Sequence, residues 1–414
     1  MEERGARVTW AEEVLAQKAG QSDVAVGEYV VARPDAFMMH DIFAADVLEL
    51  LERTGIQTLD CPERVSIIFD HMVPAPSEYA AAHQKKARIL AKKYGIHHFY
   101  DVGRGICHQV MVEEERVGPG DLVVATDSHT TTYGAVGAAS CGIGSTEMAY
   151  ALATGTLWFK VPETVLVWLE NRLPWGVSAK DLILSLMKTI GSDVAQNRSL
   201  EFLGPGAVSL ELASRMTIAN MGVEMGTKFA LFPPERKTRA GPYVAEYAVD
   251  LASVKPMVAL PHHVENVAPV TEHEGIPIDQ VFIGSCTNGR LSDLREAASI
   301  LRGRHIASSV RLIVTPASSR VYQEALREGL LEDLVQAGAI IEGPGCGPCF
   351  GGHMGLLAPG EKVIGTHNRN FQGRMGSLQA EIYLGSPLTA ASTALTGVLT
   401  DPRTIMASQR EGNS

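Results

Sequence analysis

The run Asp121-Leu122-Val123-Val124-Ala125-Thr126-Asp127-Ser128-His129-Thr130 reads as a strand that passes straight into polar residues. A glycine-rich turn follows, then a helix from about Ser145 to Gly155. The same order occurs earlier in the chain. Val65 to Phe69 is apolar except for Ser66, which suits a strand buried on both faces. It ends in Asp70-His71, and a polar helix from Ser77 to Tyr94 comes next, stopped by Gly95. Strand, loop and helix in alternation predict an α/β fold with mainly parallel sheets. In such sheets ligands gather at the C-terminal ends of strands. Asp70, His71, Asp127, Ser128 and His129 stand at those ends and are the first site candidates.

Outward from this core, Thr9 to Glu12 predicts a capping box that opens a helix through about Gln17. Glu28 to Arg33 and His98 to Val102 read as short strands. Asp41 is expected to cap a helix through Glu52, whose apolar side is Ile42, Ala45, Val47, Leu48 and Leu51. Thr164 to Leu169 is a further strand. Leu173-Pro174-Trp175-Gly176 marks a boundary, followed by a second capping box at Ser178 to Asp181. Leu260 to Pro277 reads as a linker. Beyond it, strand, Cys286 loop, helix, strand and helix alternate again, up to the loop that holds Cys346 and Cys349. Three α/β domains are expected, at residues 1–172, 173–265 and 266–414.

Composition narrows the classes of function. Of 414 residues, 45% are hydrophobic and 20% charged, as in an ordinary globular enzyme. A net charge of −11 and the absence of a polybasic run argue against nucleic acid or an anionic membrane surface as partner. No apolar run reaches membrane-spanning length. The opening MEERGARVTW lacks the apolar core of a signal peptide. Six cysteines in 414 residues form no disulfide framework, and the expected compartment is reducing, hence cytoplasmic.

Three of those cysteines share a setting. Gly343-Pro344-Gly345-Cys346-Gly347-Pro348-Cys349-Phe350-Gly351-Gly352-His353 holds a C-x-x-C, and Gly284-Ser285-Cys286-Thr287-Asn288-Gly289-Arg290 holds a single cysteine. Three thiolates are one short of the four that close a structural zinc site or fully ligate an iron–sulfur cluster. On a [4Fe-4S] cluster, three cysteines leave one iron open to act as a Lewis acid on a departing hydroxyl. Arg369 and Arg374 lie in a Gly- and Asn-rich loop soon after the pair. They suit bidentate clamping of carboxylates, a geometry that lysine cannot match. The reaction class these groups point to is removal and addition of water on a small hydroxy-polycarboxylate.

Taken in order, several motifs carry a resemblance. They are Phe69-Asp70-His71, Gly105-Ile106-Cys107-His108-Gln109, Asp127-Ser128-His129-Thr130, Asn220-Met221-Gly222-Val223-Glu224, Gly284-Ser285-Cys286-Thr287-Asn288, Cys346-Gly347-Pro348-Cys349, and Asn368-Arg369-Asn370-Phe371 with Arg374. Over nearly its whole length the chain resembles the aconitase superfamily, and most closely the large subunits of its two-protein members. The resemblance implies three aconitase-like domains around a central cluster cleft. It implies one [4Fe-4S] cluster per chain on Cys286, Cys346 and Cys349, with one iron not ligated by protein and with Asn288 nearby. It makes Asp70, His71, His108, Asp127, His129 and Glu224 acid–base or orienting groups, with His71 the acid at the leaving hydroxyl. It makes Arg369, Arg374, His40, Ser128, Asn220 and Asn370 substrate contacts. The superfamily's fourth, swivelling domain, which bears a serine base, has no counterpart before Ser414. The resemblance therefore implies a separate small subunit that carries it. Isopropylmalate, homoaconitate and other malates stay open as the di- or tricarboxylate substrate.

Blander readings cover the rest. Cys61, Cys107 and Cys141 are expected to be small buried hydrophobes. His262 and His263 have no supporting motif. The glycines from Gly134 to Gly144 lack the third glycine of a dinucleotide loop. A metal-stabilised binding protein is the rival from another class. It has no need of two Asp–His pairs, Glu224 and two clamp arginines.

Overall fold

The computed structural model describes residues 8–191, 193–234 and 241–411. The chain forms two compact units, each assembled from separate segments. One comprises 1–102, 107–171 and 192–250, and the other 103–106, 172–191 and 251–414. No helix among the described residues is long and apolar enough to cross a membrane.

The first unit is built on a five-stranded parallel sheet. Its spatial order is His98–Tyr100, Val65–Ile68, Ala36–His40, Leu122–Ala125 and Ala139–Gly142. The expected strands at 65–69 and 121–125 are present and fully buried. Between them runs Ala36–His40, which the sequence reading did not identify. Its residues Ala-Phe-Met-Met-His lack the β-branched signature of a strand, yet all five are buried because strands flank both edges. Strand order reverses on either side of it, and such a switch point is where an open α/β sheet leaves a crevice. A second, four-stranded parallel sheet joins Phe229–Leu231, Ser199–Leu203, Thr164–Glu170 and Ala245–Asp250.

Both expected capping boxes form, at Thr9 with Glu12 and at Ser178 with Asp181. The expected cap at Asp41 does not. The helix Ala44–Arg53 starts after Phe43, with no side-chain cap, and the Asp41 carboxylate is engaged elsewhere.

The second unit holds a seven-stranded sheet. Its order is Val267–Pro269, Met257–Ala259, Glu381–Leu384, Lys362–Gly365, Gln280–Ile283, Arg311–Val314 and Ile340–Ile341. The last five run parallel. Val267–Pro269 and Met257–Ala259 add an antiparallel edge, so the stretch expected to be a linker supplies a sheet strand. Order reverses between Lys362–Gly365 and Gln280–Ile283, a second switch point.

One close approach fixes packing in the first unit. A Cβ on Gly134 would run into the Ala230 carbonyl oxygen. Gly134→Ala is therefore expected to destabilise the unit by about 1–3 kcal/mol, the usual cost of overpacking a closed contact, read as a lower thermal midpoint. An unchanged midpoint would contradict this packing.

Candidate functional site

The candidate residues fall into two sets, one in each unit. In the first unit, three adjacent parallel strands deliver them side by side. His40 ends Ala36–His40, Asp70 follows Val65–Ile68, and Asp127 follows Leu122–Ala125. His108 comes from the helix Cys107–Glu113, His129 from a 3-10 turn at Ser128–Val136, and Glu224 from a 3-10 turn at Val223–Met225.

Asp127 is the hub. Its Oδ1 lies 2.8 Å from His108 Nε2 and accepts the His129 backbone N–H at 2.7 Å. Its Oδ2 stands 3.6 Å from His71 Nε2 and 3.9 Å from His40 Nε2. Burial opposes the charge on Asp127, but hydrogen bonds and charge from His108 and His129 hold it well below the usual carboxylate range. His129 Nε2 pairs with Glu224 Oε1 at 2.9 Å, and its Nδ1 lies 3.2 Å from the Ser128 hydroxyl. His108 Nδ1 meets the Tyr133 hydroxyl at 3.0 Å. Asn220 donates to Thr132 Oγ1 at 2.9 Å, and Thr132 in turn donates to the His129 carbonyl. Asn220 thus braces the His129 turn.

His71 and His40 differ in charge. His71 Nδ1 lies 2.7 Å from Asp70 Oδ1, while Asp70 Oδ2 accepts the Cys107 N–H at 2.7 Å. Burial disfavours an imidazolium here, but Asp70, with Asp127 and Asp41 behind it, raises His71 to about 10. His40 stacks on the His71 ring at 4.3 Å. Burial and the His71 charge lower its pKa. One ring is therefore a proton donor and its neighbour a neutral imidazole.

Ligand atoms of His40, Asp41, Asp70 and His71 lie within 4.8 Å of one another, a spacing a metal ion could use. Their hydrogen bonds argue otherwise. Both oxygens of Asp41 and of Asp70 already accept hydrogen bonds from the protein or face His71, and a protonated His71 cannot ligate. The set reads as a proton-handling network. Beside it, a cavity of about 540 Å³ is lined by Asp127, Ser128, Cys141, Ile143, Trp158 and Lys228. Burial pushes the Cys141 thiol up to about 11, so Cys141 is no thiolate at neutral pH.

In the second unit the parallel strands again end in the candidates. Cys286 follows Gln280–Ile283, through Ser285 at a φ of 75°. Cys346 and Cys349 lie beyond Ile340–Ile341, and Asn368 and Arg369 beyond Lys362–Gly365. All three cysteines are buried and none forms a disulfide. The Ser285 hydroxyl reaches Cys349 Sγ at 3.4 Å and Cys286 Sγ at 3.8 Å. The Asn368 amide donates to Cys286 Sγ at 3.2 Å, and its Oδ1 lies 3.8 Å from Cys349 Sγ. Cys346 packs with Cys286, Ile106, Ala317 and Phe350. Cys286 and Cys349 share the polar groups Ser285 and Asn368, and Cys346 packs in the same cluster as Cys286, a soft donor set whose chemistry fits an iron–sulfur cluster.

Arg374 Nη2 approaches Cys349 Sγ at 3.9 Å, and its Nε is buried without a hydrogen-bond partner. Arg369 is half-buried on the same loop. The Asn370 amide donates to the Leu260 carbonyl at 2.7 Å, while its Oδ1 is buried without a partner. Asn288 donates to Asp293 at 2.9 Å. Behind Cys286, the buried Arg290 guanidinium donates to the Cys286 and Thr287 carbonyls. Sequence reasoning gave no site role to Asn368, Ser285 or Tyr133, and assigned Asp41 only a helix cap. Asn368 was visible within its motif, but nothing in the sequence separated it from Asn370.

Comparison with known proteins shows what the chain is similar to. The family model described as "Aconitase family (aconitate hydratase)" matches residues 8–240 and 269–397. The chain is 47% identical to "3-isopropylmalate dehydratase large subunit 1" of Methanopyrus kandleri, over 95% of this chain and 99% of that protein. It is also 47% identical to "Homoaconitase large subunit" of Thermus thermophilus, over 95% and 97%. The holo-form crystal structure of Thermococcus kodakaraensis aconitase X superposes with a TM-score of 0.54 at 14% identity, over 84% of this chain and 88% of that one. At that identity the likeness concerns the fold.

The His71 charge has a measurable signature. Its stabilising contribution is fully present below pH 6.5, the ordinary value, and is lost as pH rises from 6.5 through about 10. Ring-nitrogen chemical shifts should report a protonated His71 across the neutral range. Asp70→Asn should bring its titration down toward 6.5.

Proposed function

The chain belongs to the aconitase family, and on that premise we propose that this hydro-lyase is the catalytic large subunit of a two-protein dehydratase, with 3-isopropylmalate as substrate. Homoaconitate is the second reading, favoured by the equal identity to the Thermus homoaconitase. The observation that carries the hydro-lyase reading is the hydrogen-bonded His71–Asp70 pair set beside Asp127, with the His40 ring stacked on His71 at 4.3 Å.

Removing water from a hydroxy acid needs a proton for the departing hydroxyl and a base for the carbon-bound hydrogen. His71 is the donor. Asp70 and Asp127 keep it charged until the hydroxyl leaves, and a deprotonated His71 regains its proton from solvent or from the reverse addition. The His129–Glu224 pair and the Asp127–His108 pair hold and orient the remaining protons, with Asn220 steadying the His129 turn and Ser128 within reach of its ring. Arg369 and Arg374 clamp the substrate carboxylates, and the buried, unpartnered Arg374 Nε and Asn370 Oδ1 support such a role. His40 adds a neutral polar contact.

Cys286, Cys346 and Cys349 would hold the [4Fe-4S] cluster, with Asn368 and Ser285 donating to the thiolate sulfurs. Asn288 would support the Cys286 loop through Asp293. When bound, the cluster supplies an iron without a protein ligand, a Lewis acid for the hydroxyl. The carbon-bound proton goes to a base on a separate small subunit carrying the swivelling domain. The "large subunit" names of relatives that this chain matches over nearly their full length support that partner.

After anaerobic reconstitution the chain should absorb broadly at roughly 400 nm, and Cys346→Ser should abolish that band. Turnover of 3-isopropylmalate should appear only when the cognate small subunit is added. Arg369→Lys in the assembled enzyme should lower kcat/KM on the order of a hundredfold, with absorbance and fold intact. Stoichiometric zinc without iron would overturn the reading.

A further inference from the structure

The backbone past the strand Val65–Ile68 poses a problem that one side chain solves. The ladder between Ala36–His40 and Val65–Ile68 ends at the pair His40 and Ile68. Beyond it the chain turns through Asp70, His71 and Met72, whose N–H groups lose the neighbouring strand as acceptor. Buried N–H groups without acceptors are strongly disfavoured. Asp41, one residue past that last pair, supplies acceptors from its side chain instead.

Asp41 is fully buried. Its Oδ1 accepts from the Asp70 N–H at 3.2 Å and the His71 N–H at 2.9 Å. Its Oδ2 accepts from the Met72 N–H at 2.8 Å and lies 3.5 Å from Gln84 Nε2, which also donates to the Met72 carbonyl. One carboxylate therefore gathers three consecutive backbone amides. From the other side, the His83 ring holds the Asp41 carbonyl at 3.1 Å, and its Nε2 meets Asp46 at 3.1 Å. The residue before Asp41 is His40, the ring stacked on His71. Asp41 thus fixes both ends of that stack: one by covalent adjacency, the other through the amides of the His71 turn.

We propose that Asp41 is a positioning residue for proton transfer by His71. Its carboxylate clamps the Asp70–Met72 turn, so that the His71 ring lies between Asp70 and Asp127 with Nε2 aimed at the reacting group. The inference rests on His71 being the acid, the reading given above. A simple helix cap would leave the His71 turn indifferent to Asp41. Besides Asp41, the groups facing His71 include Asp70 at 2.7 Å, Asp127 at 3.6 Å and the stacked His40, with Asp41 Oδ1 3.9 Å from His71 Nδ1. Removing the Asp41 charge while keeping its size takes away one of three nearby anions and turns an amide N–H₂ toward groups that are themselves donors.

The test is Asp41→Asn, with His71→Gln as the parallel variant. In the full-length Asp41→Asn chain, amide exchange at residues 70–72 should quicken at least tenfold, while the strand 65–68 keeps its protection. The His71 ring titration should fall by about one unit. In the assembled, reconstituted enzyme kcat should drop on the order of tenfold to a hundredfold with little change in KM, and the alkaline limb of the pH profile should move down with the ring titration. Unchanged exchange at 70–72 together with an unmoved His71 titration would overturn the proposal. If Asp41→Asn does not fold, exchange in the wild-type chain decides. Amides 70–72 protected to the level of 65–68 support the clamp, and solvent-rate exchange there refutes it. His71→Gln separates the two readings. Full turnover in that variant defeats His71 as the acid, whereas the exchange and titration results judge the clamp without reference to turnover.

Discussion

One carboxylate, Asp127, draws together the rings of the first unit's site. Asp127 brings four imidazoles toward its two oxygens, with His108 and both the backbone N–H and the ring of His129 on one and His71 and His40 near the other. An isolated buried carboxylate is strongly disfavoured and would take up a proton. The protein keeps it charged by surrounding it with donors, and each donor is held in turn. Tyr133 faces the far nitrogen of His108, Glu224 that of His129, and Asp70 that of His71. The result is an alternating array of carboxylates and imidazoles, in which the state of any ring depends on the carboxylates beside it. His71 and His40 differ in charge at a ring separation of 4.3 Å because Asp70 bonds directly to one of them and not to the other.

Both units reach this chemistry by the same geometric route. Each has a parallel sheet whose strand order reverses once, and each places its polar groups just past the strands at that reversal. In the first unit these are Ala36–His40 and Leu122–Ala125, which yield His40 and Asp127. In the second they are Gln280–Ile283 and Lys362–Gly365, which yield Cys286 and Asn368. Loops leaving a reversal diverge to opposite faces of the sheet, so the crevice needs no special excavation. Hydrogen bonds then lock the paired loops. Thr366 Oγ1 accepts the Gly284 N–H, and Thr287 Oγ1 donates to the Thr366 carbonyl. The buried Lys180 ammonium donates to the carbonyls of Thr366 and His367.

What could be read directly from the amino acids follows from where side chains carry a local signal. Val65–Ile68 and Leu122–Ala125 are short apolar runs cut off by acids and histidines, and that contrast marked both the strands and the site. The three cysteines were legible because glycine and proline around a thiol have few other uses. Ala36–His40 was hidden, since its burial comes from neighbouring strands and not from its own residues. Asp41 was misread for a definite reason. An aspartate one residue before an apolar periodic run looks the same whether its carboxylate turns forward to cap a helix or backward to hold amides thirty residues away in sequence. Asn368 and Asn370 pose the same difficulty, because only the fold decides which amide meets sulfur and which meets Leu260.

The interleaving of the two units along the chain bears on how the protein is made. The first unit's four-stranded sheet places Thr164–Glu170 beside Ala245–Asp250, and the helix Ala179–Ile190, which lies between them in sequence, belongs to the other unit. On the ribosome the first sheet therefore keeps an open edge until residue 250 has emerged, and the amphipathic helix has no core to join until the strands after 251 follow it. Long-range closure of this kind is slow and leaves unpaired edges exposed during synthesis. A nascent chain of this architecture holds an apolar helix face and an unpaired sheet edge open for longer than a chain of consecutive domains of the same length would.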